Sequence, residues 1–212
     1  MATKTDSVLT PRRLLLYVGL VIGLAAVLFA AFGMGDEAGP SVEEVAGAPE
    51  VDGEDLPLHE DPGTDPAVGG PVPVTTGPDF DGNEVTIGDG DAEMIMFLAS
   101  WCPACQAEVP EVVEWLEAGG LPDGVELNAV ATGLDDSRPN WPPQDWLERE
   151  DFDRPVIVDD AEGTIAAAYG MNATPFWVFI ADGEVQGRVA GQLPIDQIAQ
   201  VADQLAAEQA GG

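Results

Sequence analysis

Residues 94–105 read MIMFLASWCPAC. The first six, Met94–Ala99, are apolar without a break. A short continuous run of this kind suits a central strand buried on both faces, since a half-buried strand would alternate. Two cysteines follow, Cys102 and Cys105, with two residues between them. Pro103 suits the first position of a helix. Val112, Val113, Trp115 and Leu116 give that helix an apolar side up to about Ala118, and Gly119-Gly120 ends it. The unit is therefore strand, two-cysteine turn, helix.

That placement carries chemistry. A helix N-terminus presents unpaired N–H groups and the positive end of the helix dipole. A thiolate held there is stabilised and becomes a nucleophile near neutral pH. Cys102, at the open end, is the attacking thiol. Cys105, one turn deeper, resolves the mixed disulfide. An inert structural bridge is the plainer alternative, yet a bridge closing so short a loop constrains little of the unfolded chain. Zinc would need about four ligands, and the sequence offers two Cys and a single His.

Downstream, Val125–Ala131 reads as a second buried strand and Gln144–Glu150 as a short helix. Pro155–Val158 is a brief strand, and Glu162–Tyr169 is an Ala-rich helix stopped by Gly170. Phe176–Ala181 and Val185–Ala190 flank Asp182-Gly183, a hairpin signal. Ile195, Ile198, Val201 and Leu205 stand at helical spacing in a closing helix from Pro194 to about Gln209. Upstream, Glu84–Ile87 is a short strand. The order predicts an α/β domain over 77–212, with a central mixed β-sheet flanked by helices. Trp177 reads as core. Trp141 and Trp146, in the stretch 135–150, read as caps on that core or as the lining of a partner groove, the core being preferred.

The N-terminal third has a different composition. Leu14–Phe32 is apolar, and no charge appears between Arg13 and Asp36. Such a run is long enough to cross a bilayer core of about 30 Å. Basic Lys4, Arg12 and Arg13 precede it, which keeps residues 1–13 cytoplasmic and exports the rest. The reading is a single transmembrane signal-anchor over 14–35. A cleaved signal peptide, using the small residues around Ala31-Phe32-Gly33, is the alternative, and it exports the domain as well. Residues 36–76 carry 11 carboxylates and no Lys or Arg. They read as a disordered, self-repelling acidic linker. The only histidine, His59, falls there and reads as solvent-exposed.

The whole chain has 39 acidic and 7 basic residues, a net charge of −32. So acidic a surface excludes nucleic acid, whose phosphates require clustered Lys and Arg. It is read here as a solvated, salt-tolerant surface.

Several stretches together resemble one family, the membrane-anchored thioredoxin-like proteins of the TlpA/ResA type. FLASWCPAC resembles the family's strand–WCxxC junction. Pro110 resembles the proline that kinks the active-site helix. VIVDDAEGTIAAAYG resembles the stretch before the proline loop, and Ala173-Thr174-Pro175 resembles the cis-proline loop itself. The resemblance implies a thiol–disulfide oxidoreductase with a thioredoxin-like fold, exposed outside the cytoplasm. It implies catalytic roles for Cys102, Cys105, Pro175 and Glu108, the last as a buried proton shuttle for Cys105. It gives Trp101, Pro103 and the backbone of Thr174 to substrate binding. Thioredoxins place a buried Asp six residues before the first Cys; Met96 stands there, so no buried acid is expected from that strand. No cofactor beyond the Cys102–Cys105 pair and no metal is implied. The expected partners are exported protein thiols and disulfides, and a membrane or extracytoplasmic thiol protein that supplies electrons. The direction of exchange stays open, with reduction (for instance of apocytochrome thiols) favoured by the resemblance. A Cu(I) chaperone on the same fold is the other class, disfavoured because such relatives add a distal His and space their Cys differently.

Overall fold

The computed structural model describes residues 39–60, 63 and 65–211. The segments expected to lie in the cytoplasm (1–13) and in the membrane (14–35) fall outside these residues. Among the described residues no helix is long and apolar enough to cross a membrane.

The elements run α1 (Val42–Val45), β1 (Glu50–Asp52), β2 (Val74–Pro78), β3 (Glu84–Ile87), β4 (Ala92–Leu98), α2 (Pro103–Glu117), β5 (Glu126–Ala131), α3 (Pro143–Arg149), β6 (Val156–Val158), α4 (Thr164–Ala168), β7 (Phe176–Ala181), β8 (Glu184–Ala190) and α5 (Ile195–Gly211). A five-stranded sheet has the order β6-β5-β4-β7-β8, and a three-stranded antiparallel sheet the order β1-β2-β3. Strand β4 pairs in parallel with β5 and antiparallel with β7, so the central sheet is mixed. Every residue of β4 is buried. Met94, Met96 and Leu98 enter one core, with α2 and α5, while Ile95 and Phe97 enter the other, with α4. Two covered faces explain why the strand's sequence is apolar throughout rather than alternating. Asp182 (φ 51°) and Gly183 (φ 74°) turn β7 into β8 in the left-handed conformation that such two-residue hairpins require.

Two expectations are corrected. The described part of 36–76 is folded, not a free tether. Leu56, Ala67 and Val72 are buried, and His59 is 2% exposed. Backbone N–H groups of Leu56 and His59 donate to the carbonyls of Ala168 and Gly170, both at 2.8 Å. Strand β1 adds to β2 at 50–52. The anchors are single apolar residues at irregular spacing, which no periodicity reveals. The charge is also partly neutralised, because Arg188, far along the chain, reaches Asp65. The folded unit therefore begins well before residue 77. The second correction concerns β4. Met96 is fully buried as expected, but the same strand does supply a buried acid, Glu93, 0% exposed. Its carboxylate accepts from the Gly88 N–H and the Asn128 side chain, both at 2.8 Å.

Candidate active site

The chain leaves β4 at Leu98 and turns at once, with the Cys102 N–H donating to the Ala99 carbonyl at 3.0 Å. Cys102 then occupies the N-cap of α2, with Pro103 in the first turn as its fixed φ allows. The Cys102 sulfur accepts from the Cys105 N–H at 3.4 Å. In this structure both cysteines are free thiols. Cys102 is 6% exposed and Cys105 is 0% exposed, so only the first is open to a partner. Pro110 lies inside α2.

The second wall of the site comes from the loop before β7. The Thr174–Pro175 peptide is cis. The Cys102 thiol donates to the Thr174 carbonyl oxygen at 3.3 Å, across 72 residues of sequence. Pro175 is buried, Thr174 half-buried, and Ala173 exposed. The Thr174 N–H makes no backbone hydrogen bond among the described residues.

Ionisation separates the two sulfurs. Burial works against a Cys102 thiolate, but hydrogen bonds from the Thr174 side chain and the Cys105 and Ala104 N–H groups outweigh it, and its pKa falls below the usual thiol value. Burial pushes the Cys105 thiol strongly up, and the neighbouring Cys102 adds to this. One thiol is set to be a nucleophile and the other needs a base.

Glu108, one turn further along α2, is 1% exposed. Its Oε1 accepts from the Leu193 N–H at 2.6 Å and the Trp177 indole N–H at 3.3 Å. Its Oε2 is buried and has no hydrogen-bond partner. Burial raises the carboxyl to about 7, against which the two donors work. A carboxyl poised there can hold or give up a proton at neutral pH.

Trp101 is half-buried beside the sulfurs, its indole N–H donating to the Gly133 carbonyl at 2.6 Å. Pro103 is exposed next to Cys102. The structure thus joins Cys102 to Cys105 and to Thr174, with Trp101 and Pro103 next to it in the chain and Glu108 one turn beyond Cys105 on α2. It also adds Trp177, whose core position was expected but whose bond to Glu108 was not. Of the two other tryptophans, Trp146 is core at 1% exposed, whereas Trp141 is half-buried and reaches the Pro40 carbonyl. His59 is engaged elsewhere, against Asp65 at 3.4 Å and edge-on to the Phe176 ring.

Fold and site together define a thioredoxin-like domain with paired cysteines at the mouth of its active-site helix. The chain belongs to the redoxin family, whose model matches residues 67–205. It is 30% identical over 122 residues to the thiol-disulfide oxidoreductase ResA of Oceanobacillus iheyensis, an alignment covering 57% of this chain and 60% of that relative's length. A thiol:disulfide interchange protein of the thioredoxin family from Chlorobium tepidum shares the fold with a TM-score of 0.53 at 21% identity, over 64% of this chain and 94% of that one. A secreted Mycobacterium tuberculosis disulfide oxidoreductase shares it with a TM-score of 0.51 at 23% identity, over 61% and 95%.

Proposed function

We propose that the protein is a membrane-anchored, extracytoplasmic thiol–disulfide oxidoreductase that reduces disulfides of exported proteins. The observation that carries this reading is the Cys102 thiol, capping α2 and facing the Thr174 carbonyl, with buried Cys105 behind it. The likeness to ResA supports it, and the uninterrupted apolar run Leu14–Phe32 supports the anchor.

The Cys102 thiolate attacks one sulfur of the substrate disulfide, and the other sulfur leaves as a thiolate that takes up a proton. Substrate backbone beside the target cysteine docks on the Thr174 N–H, with Trp101, Pro103 and Pro175 as its walls. Ionised Glu108 accepts the Cys105 proton. The Cys105 thiolate then attacks the Cys102 sulfur, leaving the Cys102–Cys105 disulfide and expelling the second substrate sulfur as a thiolate, which takes up a proton to give the dithiol. Glu108 passes its proton on. A thiol protein in or outside the membrane returns two electrons to the pair.

The deciding experiment equilibrates the protein in glutathione buffers of graded ratio and follows Trp fluorescence. A potential near thioredoxin's, about −270 mV, or lower is the expected result. A potential near that of the strong oxidant DsbA, about −120 mV, would reverse the direction of exchange. No transition at any ratio would leave an inert bridge.

A further inference from the structure

Beyond residue 13 the chain has four basic side chains, Arg138, Arg149, Arg154 and Arg188. Three are committed. Arg188 is buried on Asp65. Arg154 pairs with Asp153 at 2.8 Å. Arg149 bonds the Asn140 side chain at 3.0 Å and the Asp145 carbonyl at 2.9 Å. Arg138 has neither an ion pair nor a side-chain hydrogen bond among the described residues, and it is exposed. Its guanidinium carbon lies 4.4 Å from the centre of the Trp101 ring, and Trp101 is the residue before the nucleophile.

The segment that presents Arg138 is fastened to the active-site turn. Trp101 bonds Gly133 at one end. Further on, Asn140 donates to the Ser100 carbonyl at 3.2 Å, and Arg149 holds the Asn140 oxygen. Residues 133–149 are therefore a fixed rim of the cleft. Stacking on an indole holds a guanidinium in one plane and leaves its N–H edge free, so little freedom remains to be lost when a planar anion docks.

We infer that Arg138, laid on Trp101, is a specificity-determining residue that docks a carboxylate lying close to the target cysteine of the partner. This rests on the reading of Cys102 as the attacking thiol. A surface with a net charge of −32 repels acidic segments at long range and attracts basic ones. Arg138 reverses that preference locally, beside the reacting sulfur.

The test uses the reduced full chain and two symmetric peptide disulfides that differ only in Glu or Lys two positions from the cysteine. Trp fluorescence follows oxidation of the protein by each. Arg138→Gln is expected to lower the Glu-to-Lys ratio of second-order rates about two- to fivefold, and Arg138→Glu to lower it further. Arg138→Lys should restore part of it, and added salt should narrow the difference. Reaction with both peptides at one unchanged ratio in every variant overturns this inference alone. Failure of either peptide to oxidise the parent protein overturns the exchange reading with it.

Discussion

Arg188 and Asp65, 123 residues apart, meet in a two-pronged ion pair, with Nε 2.8 Å from Oδ2 and Nη2 bonded to Oδ1. The arginine side chain is fully buried, and its Nη1 also donates to the carbonyls of Pro57 and Tyr169. The pair holds the carboxyl of Asp65 down, to about 2, chiefly through the Arg188 hydrogen bond. It clips Pro57 and Asp65 onto β8 and onto the Tyr169 carbonyl at the end of α4.

A chain beginning at residue 77 deprives this arginine of its counter-charge and of the Pro57 carbonyl. Breaking a buried pair by removing one partner costs about 3 kcal/mol or more. The shortened chain also loses β1, the Leu56 anchor and most of β2. It is expected to unfold at a lower urea midpoint than a chain beginning at residue 39. Equal midpoints would show that the clip adds nothing to the fold.

Gly170 sits where the clip crosses, with φ at 65°. A Cβ there would stand 2.3 Å from the Pro57 carbonyl oxygen and 2.5 Å from Arg188 Nη1. Both neighbours are fixed, one being backbone and the other a buried cation. Gly170→Ala is expected to lower stability by about 2 kcal/mol or more, from strain and steric overlap together. A thermal melt within a degree or so of the parent's would contradict the packing described here.

The clip is also where sequence reading stopped. Strands β4 and β7 announce themselves through continuous apolar runs, because they are buried over their whole length, and helix α2 through the helical spacing of its one buried face. Cys102 and Pro175 were legible from their neighbours. Residues 39–72 carry their anchors singly, at Leu56, His59, Ala67 and Val72, among carboxylates that by themselves argue for a solvated coil. What offsets that repulsion is one arginine on β8, a long-range pairing with no local trace. Glu93 escaped for a similar reason: its partners, Gly88, Gly90 and Asn128, are contributed by a turn and the adjacent strand. The Trp177–Glu108 bond could have been guessed only from two polar atoms sharing one core.

Thr174 faces the nucleophile with its carbonyl oxygen, which accepts from the Cys102 thiol at 3.3 Å. Its side chain is the largest of the influences that lower the Cys102 pKa against burial. Thr174→Val keeps the shape and removes that donor. Alkylation of Cys102 at neutral pH should slow about fivefold, the worth of one hydrogen bond, and the pH midpoint of the reaction should rise. At alkaline pH the two proteins should react at the same rate. A uniform slowing at every pH would mean that the change restricts access and leaves ionisation untouched.

Glu108 gives the fold a pH dependence of known sign. Burial raises its carboxyl from the ordinary 4.5 to about 7 in the folded chain. The folded state therefore binds this proton more tightly than the unfolded state. The associated stability is complete below pH 4.5, declines as pH rises, and is lost above about 7. Allowing for water screening the site, the loss is on the order of 2 kcal/mol. Glu108→Gln cannot ionise, so its stability relative to the reduced parent should grow between pH 5 and pH 8 in urea titrations. The same variant deprives Cys105 of its proton acceptor, so resolution of the Cys102 mixed disulfide should slow and lose its dependence on a group titrating near 7. If the parent and the variant differ by the same amount at both pH values, Glu108 does not ionise across this range. It would then be a structural hydrogen-bond acceptor for Trp177 and Leu193, with no part in moving the Cys105 proton.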